Sequence, residues 1–226
     1  MYMVSGAVKV KLTQTRIPGF RIMTAQLVGE QEVEILGVVG PGQLAVRPLS
    51  FSPHYDRLQR KLQEASQQLE KLSQPNVNQS CAVRHENSWH RGLVEVIEKE
   101  TCGVRLVDLG RIENVCLENL RELPEHFLQE HAYCILCHLP GCSDADGNML
   151  EIELGDQKMV TLHRRGVPEM KCGAWSLPVE ICWEKEIHCD PVGLPVKRTV
   201  FLSQQMIHKI RVQAETTLDT TESEET

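Results

Sequence analysis

The sequence predicts a mostly β protein with one long helix, in the α+β class, and three observations predict it. Short segments alternate apolar and polar residues along most of the chain, as Val8, Val10 and Leu12 do, which is typical of half-buried strands. One stretch, 52–73, repeats its apolar residues with helical period. The central segment 81–127 contains short, closely spaced strands broken by turns, a pattern typical of a small barrel.

The first fifty residues are predicted to form strands that must pack against another layer. Turn residues separate the segments: Pro18-Gly19 after the first and Gly40-Pro41-Gly42 between the last two. The predicted strands are 6–15 and 20–24, which alternate, and 33–39 and 44–47.

The predicted helix covers 52–73. Ser52 is suited to the N-cap, and Pro53 to the first helical position, where its missing N–H costs nothing. A coiled-coil seam has the same periodicity, but the stripe is shorter than three heptads and Pro75 follows it, which favours a helix packed within a domain. The apolar stripe comprises Tyr55, Leu58, Leu62, Ala65, Leu69 and Leu72.

The central segment is predicted as strands joined by tight bends. A strand from Trp89 to Val96 leads to a turn at 101–103, and a second strand at 104–109 ends at Gly110, where the bend needs conformational freedom. Residues 117–124 are predicted as a short helical turn that Pro124 stops.

After Phe127 the chain is predicted to return to strands, with a short helix at 204–210. The segment 149–154 is predicted to pair as a strand with 158–164 across Gly155-Asp156. From 213 onward Thr, Glu, Ser and Asp replace apolar residues, so the tail is expected to be disordered. The other predicted strands are 131–137, 177–183 and 196–202.

Composition limits the classes of partner. A formal net charge of −7 argues against duplex nucleic acid and favours a basic peptide or protein. No apolar run has membrane-spanning length, so no membrane partner is expected. The nine cysteines are odd in number and lie mostly within strand patterns, which favours reduced, buried thiols in the cytoplasm.

Metal, cofactor and enzyme chemistry are not expected. Two groups of residues suggest zinc: Cys134, Cys137, His138 and Cys142, and Cys172, Cys182, His188 and Cys189. Residues three apart on a strand point to opposite faces, which does not suit a zinc knuckle. The acids Asp144, Asp146, Glu151 and Glu153 show no calcium-loop pattern, and the sequence has no nucleophile–base pair or phosphate loop.

Four pieces of the central segment together resemble a Tudor domain. They are Cys81-Ala82, Trp89-His90-Arg91, the 108–113 stretch DLGRIE and the 120–127 stretch LRELPEHF. The order of strands, helix, barrel and further strands is similar to the extended Tudor arrangement, in which the barrel is inserted into a split OB-like subdomain of the staphylococcal-nuclease type. The implied organisation is 1–51 and 129–211 for the two OB-like parts, 52–73 for the linking helix, 80–128 for the Tudor barrel and 212–226 for the acidic tail.

In this family a cage of four aromatic rings and an asparagine holds methylated arginine, because a diffuse cation with apolar methyls suits π faces. The resemblance places the first cage ring on His85 or Arg84 and the others on His90, Leu106 and Leu109, with Arg111 in place of the asparagine. No Phe, Tyr or Trp stands at these positions. The chain thus resembles members whose cage is degenerate and whose ligand is an unmethylated Argonaute tail.

The resemblance implies a non-enzymatic adaptor for the arginine-rich N-terminal tail of a Piwi-clade Argonaute, in piRNA-guided silencing within a cytoplasmic, perinuclear granule of germline cells. Glu86, Asp108 and Glu113 are candidates to bind a guanidinium, with Leu106 and Leu109 as an apolar wall. The alternative is that Asp108 stabilises the bend and the leucines fill space, leaving a scaffold or dimerisation module that binds other Tudor-family scaffolds or itself. Single-stranded RNA binding by the OB-like half is the third reading.

Overall fold

A computed structural model describes the chain at residues 20–22, 30–142, 147–156, 158–167, 169–171, 174–189, 195–204 and 206. The predicted strand at 6–15, most of the predicted helix at 204–210 and the predicted tail from 213 lie outside the described residues. None of the helices in the described part of the chain is both long and apolar enough to cross a membrane.

The described residues form fourteen strands and three α-helices. In chain order they are β1 (Arg21–Ile22), β2 (Glu30–Gly40), β3 (Gln43–Pro48), α1 (Ser52–Ala65), β4 (Ser80–His85), β5 (Ser88–Ile97), β6 (Thr101–Leu106), β7 (Ile112–Cys116), β8 (Leu120–Glu122), α2 (Glu125–Leu128), β9 (His131–Ala132), β10 (Ile135–His138), α3 (Gly147–Leu154), β11 (Met159–Arg164), β12 (Glu169–Lys171), β13 (Ala174–Cys189) and β14 (Pro195–Phe201).

Strands from both ends of the described chain close into one barrel, here called the flanking barrel. Antiparallel pairs join β2 to β3, β3 to β10, β13 to β11 and β11 back to β2, and the parallel pair of β10 with β13 completes the ring. Numbered in chain order, the five strands follow each other as 1-2-3-5-4-1, the closed Greek-key connectivity of an OB fold. The predicted split OB-like half is confirmed.

The central barrel is inserted in the chain between β3 and β10. Its five strands pair in the order β7-β6-β5-β4-β8. The inward side chains are apolar or cysteine, and they alternate along each strand as a half-buried sheet requires. The fully buried members are Cys81, Val83, Val94, Cys102, Val104, Leu106 and Leu120.

Helix α1 packs against the central barrel but is shorter than predicted. It begins at Ser52 after a 3-10 turn, with Phe51 at the N-cap position, and it ends at Ala65. A second 3-10 turn, Ser66–Gln68, follows. Leu72 leaves the helical stripe because it is buried in the core of the central barrel, where its N–H donates to the carbonyl of Leu120 at 3.2 Å.

The predicted strand at 149–154 is wrong, since α3 occupies it. Leu150 and Leu154, one helical turn apart, are buried in the flanking barrel core, whereas Ile152 between them is 73% exposed. Over so few residues the same apolar positions fit both a strand and a helix, and packing against the flanking barrel selected the helix.

Two bends of the central barrel also differ from the predictions. The turn expected at 101–103 lies earlier, because β6 begins at Thr101, whose carbonyl accepts a hydrogen bond from the N–H of Glu98. In the predicted helical turn at 117–124, only Leu117–Asn119 is helical, as a 3-10 turn. Leu120–Glu122 forms β8 because it pairs with β4.

Candidate functional site

A tight hairpin brings two histidines to the open end of the central barrel. The two-residue turn between β4 and β5 consists of Glu86 and Asn87, which have φ of 47° and 64°. Two successive positive φ values are the signature of a type I′ hairpin turn. Strand β4 continues past the buried Val83, so His85 extends the inward face to the mouth of the barrel. His90, paired with Val83, lies beside it, and the two imidazole ring centroids are 6.4 Å apart.

Charged side chains gather around His85, in what we call the mouth cluster: His85, Glu86, His90, Arg111 and Glu113. The Nε of Arg111 lies 2.9 Å from Oε1 of Glu113, and an Nη lies 3.8 Å from Oε2 of Glu86. The same Arg111 Nη is 3.3 Å from Nε2 of His85. The His85 Nε2 lies 3.5 Å from Glu86 and 3.7 Å from Glu113. Two carboxylates thus surround one guanidinium at the barrel mouth.

Helix α1 closes one side of the mouth cluster. Gln59 donates to the carbonyl of Trp89 at 2.6 Å and places its Nε2 3.4 Å from Nδ1 of His90. Burial lowers the pKa of His90, and the positive charges of His85 and Arg111 act in the same direction. His90 therefore tends to stay neutral, able to serve as a hydrogen-bonding partner.

The two leucines of the predicted cage have different environments. Leu106 is fully buried in the central barrel core, so its role is to fill space, and it offers no wall to a peptide. Leu109 is half-buried and packs on the edge of the same core. Of the predicted apolar wall, only Leu109 reaches toward the surface.

Asp108 is buried in an ion pair, 3% exposed, and does not belong to the mouth cluster. The Nε and Nη2 of Arg91 donate to its two carboxylate oxygens at 2.9 and 2.6 Å. Arg91 also donates to the carbonyls of Phe127, Glu130 and His131 at 2.7, 2.9 and 2.6 Å. Asp108 is thus part of a fully buried bidentate pair that joins the central barrel to the chain leading into β10.

Further contacts show that this pair sits in the seam between the two barrels. The backbone N–H of Tyr133 donates to Asp108 Oδ1 at 2.9 Å, and Arg47 of β3 donates to the Asp108 carbonyl at 3.0 Å. The Arg47 guanidinium lies 3.6 Å from the ring centroid of Tyr55 in α1. The alternative in which Asp108 stabilises the bend therefore describes its contacts better than the guanidinium-binding role predicted from the sequence.

Sequence reasoning assigned no role to Arg91, although a signal was present. Arg91 lies on the strand face that carries Trp89 and Leu93, both apolar and both buried. An arginine among buried neighbours needs an acidic partner, because an unpaired buried charge is very costly.

Gly110 separates the buried acid from the exposed arginine. Its φ is +80°, and a Cβ there would lie 2.7 Å from Sγ of Cys134 and 2.8 Å from Cβ of Ala45. The bend predicted at Gly110 is confirmed, and the glycine also permits the central barrel to touch the flanking barrel. The four residues from Asp108 to Arg111 thereby connect the seam to the mouth cluster.

The three cysteines of the first candidate zinc group, Cys134, Cys137 and Cys142, are buried thiols. Burial raises the pKa of Cys134 to about 12 and that of Cys142 to about 11, and it raises the pKa of Cys137 as well. Among the residues that the structure describes, no three His, Cys, Asp or Glu side chains form a group that could hold a metal ion. Cys172 lies outside the described residues.

Comparison with known proteins identifies the class. The Tudor domain family profile matches residues 28–141, half of the chain. The zebrafish (Danio rerio) Tudor domain-containing protein 1 is 27% identical over 115 residues, which cover 45% of this chain and 10% of that protein. The chain therefore spans about a tenth of the length of this relative.

Solved structures share the fold. The human TDRD1 extended Tudor domain, bound to a symmetrically dimethylated peptide, superposes with a TM-score of 0.66 at 18% identity, covering 84% of this chain and 92% of that one. Extended Tudor domain TD3 of mouse TDRD1, bound to a MILI peptide containing dimethylarginine, superposes with a TM-score of 0.63 at 16% identity. The match covers 84% of this chain and 95% of that one. The BmPAPI extended Tudor domain bound to symmetric dimethylarginine superposes with a TM-score of 0.64 at 16% identity, covering 80% of this chain and 97% of that one.

A five-stranded barrel inserted into a closed OB-like barrel is the architecture of the extended Tudor domains among these structures. The chain belongs to the Tudor domain family and has the extended Tudor fold. As a member of this family it is a non-enzymatic binding module.

Proposed function

We propose that this extended Tudor domain binds an arginine-containing peptide at the mouth cluster, and that the peptide is the N-terminal tail of a Piwi-clade Argonaute. The observation that carries the proposal is that the carboxylates of Glu86 and Glu113 converge at the barrel mouth on a guanidinium, that of Arg111. The complexes of related domains with dimethylated peptides support a peptide ligand.

The preferred arginine in this proposal is unmethylated. An unmodified guanidinium has five N–H donors in a fork that matches carboxylates, and each methyl group replaces one of them. Methylated guanidinium gains from aromatic faces, but the mouth cluster offers two imidazoles and two carboxylates. Glu86 is 75% exposed and Glu113 25% exposed, so both are within reach of a peptide. In this respect the proposed function is similar to that of the Tudor-family scaffold Krimper, one of whose extended Tudor domains has a degenerate cage and an unmethylated Argonaute tail as its ligand.

The roles of the predicted residues are narrowed accordingly. Glu113 and Glu86 bind the guanidinium, while His85, His90 and Leu109 line the mouth. Leu106 and Asp108 support the site from below, in the barrel core and in the seam. We further propose that the protein acts in a cytoplasmic, perinuclear granule, which imaging of a tagged full-length protein in germline cells would test.

Calorimetric titration with paired Argonaute-tail peptides, unmethylated and symmetrically dimethylated, tests the proposal. We expect the unmethylated peptide to bind several-fold more tightly. Glu113→Gln should weaken binding of the unmethylated peptide by roughly ten- to a hundredfold, since a hydrogen bond to a charged group contributes about 1.5–3 kcal/mol. Glu95→Gln is the matched control: Glu95 is 26% exposed and pairs with Arg105 of the same barrel.

Three results would contradict the proposal in different ways. Preference for the dimethylated peptide would refute the unmethylated ligand and leave a methylarginine reader. Equal losses of peptide affinity in Glu113→Gln and Glu95→Gln would show that the peptide does not bind at the mouth cluster. Absence of heat from either peptide would favour the scaffold alternative, whose test is the molar mass in solution.

A further inference from the structure

Arg111 already occupies the position at which the proposed function would seat a peptide arginine. Its guanidinium lies 2.9 Å from Glu113, 3.8 Å from Glu86 and 3.3 Å from the His85 ring nitrogen. These are the same carboxylates that an incoming guanidinium would need. The mouth cluster is therefore filled by a side chain of the domain itself.

The side chain of Arg111 is held loosely while its backbone is held firmly. The side chain is 42% exposed, and exposed ion pairs are weak because water screens them. The Arg111 carbonyl, in contrast, accepts a hydrogen bond from the N–H of Leu106 at 2.8 Å, next to the buried end of β6. The guanidinium can thus rotate out of the cluster without any change in the barrel backbone.

Two guanidinium groups cannot share the cluster at low cost, because their like charges would lie within a few ångströms of each other. A tethered side chain also competes at a high effective concentration, on the order of millimolar for short flexible tethers. An entering arginine must therefore displace Arg111, and this competition lowers the apparent affinity.

We infer that Arg111 is an intramolecular competitor that occupies the arginine site of this domain and sets its affinity for peptides. The inference rests on the proposed function, because it assumes that the mouth cluster is where the peptide arginine binds. Binding is then an exchange of one guanidinium for another, in which Glu113 and Glu86 keep a cationic partner throughout. Arg111 is a specificity-determining residue in this scheme, since only a ligand that offers a comparable set of N–H donors can replace it.

The test compares Arg111→Gln with Arg105→Gln, using a short unmethylated peptide with one arginine between alanine and glycine residues. Arg105 is the matched control, an arginine of the same barrel in an ion pair with Glu95. We expect Arg111→Gln to bind about tenfold more tightly than the wild type, and Arg105→Gln to bind as the wild type does. Equal or weaker binding by Arg111→Gln would overturn the inference.

A second measurement separates this inference from the proposed function. The Nε–H signal of Arg111 in an NMR spectrum, assigned by its loss in Arg111→Gln, should shift in Glu113→Gln, because the Glu113 carboxylate lies 2.9 Å from this nitrogen. Addition of peptide should shift it to the position of a solvated arginine. A signal that is insensitive to Glu113→Gln overturns the competitor role whatever the peptide does. If the signal responds to Glu113→Gln but no variant binds the peptide, the proposed function is overturned instead.

Discussion

Two of the arginine–carboxylate pairs of the central barrel, Arg91–Asp108 and Arg111–Glu113, differ in burial and therefore in role. Arg91 and Asp108 are 0% and 3% exposed and are joined by two direct hydrogen bonds. Arg111 and Glu113 are 42% and 25% exposed and meet at one ion contact. The first pair holds the barrels together, whereas the second is open to exchange with a ligand. An arginine–carboxylate pair stabilises the fold where water is excluded, and it can exchange its partner for a ligand where water can compete.

The strongest way to break this comparison is to remove Arg91. Arg91→Met leaves the Asp108 carboxylate buried without its cation and three carbonyls without their donor. We expect the free energy of unfolding to fall by about 3–5 kcal/mol, as measured by urea denaturation. The matched variant Arg111→Met should cost less than about 1 kcal/mol. Similar losses in the two variants would show that burial does not distinguish the pairs.

A smaller effect is expected at the bend that separates the pairs. Gly110→Ala forces an L residue to φ near +80° and pushes its Cβ against Cys134 and Ala45, so we expect a loss of about 2–3 kcal/mol in the same assay. Gly103→Ala is the control, because its Cβ would meet Val96 at 3.6 Å, an ordinary contact. That variant should stay within about 0.5 kcal/mol of the wild type. A comparable loss at Gly103 would refute the explanation by packing.

The smallest effect concerns the pH dependence of stability. Burial holds the pKa of His90 below its ordinary value of 6.5, so below pH 6.5 the unfolded chain binds a proton that the folded chain accepts less readily. The free energy of unfolding therefore falls as the pH decreases from 6.5 toward the folded pKa. Thermal unfolding of His90→Gln should show a shallower fall over this range than the wild type. His54→Gln, at an exposed position of α1, should retain the wild-type slope.

Much of the fold could be predicted because it depends on local patterns. The apolar segments of β2 and β5, the alternation in β13, the proline-started helix and the glycine bend were all visible in short windows of sequence. The prediction failed in α3, where the strand period and the helical period fit the same few residues. It also failed at β8 and Leu72, where contacts with residues distant in sequence determined the structure. Those segments took the structure that let them pack.

The candidate site was predicted less well than the fold, for a related reason. The family resemblance placed Leu106 and Arg111 in one pocket, and Asp108 was added to it as a candidate ligand for a guanidinium. The structure buries Leu106 and Asp108 and leaves Arg111 exposed. Of the predicted site residues, the two histidines, Arg111, Glu86 and Glu113 form the mouth cluster.

The sequence by itself determined the class of fold, the family resemblance and the scarcity of aromatic rings, because these follow from composition, local periodicity and motif order. The tertiary structure alone decided which carboxylates are buried and which are exposed. Asp108 and Glu113 are five residues apart and chemically alike, but Asp108 faces Arg91, Tyr133 and Arg47, which arrive from distant parts of the chain. Whether a charge is neutralised in the interior or offered to a ligand depends on such non-local neighbours and on the water they exclude.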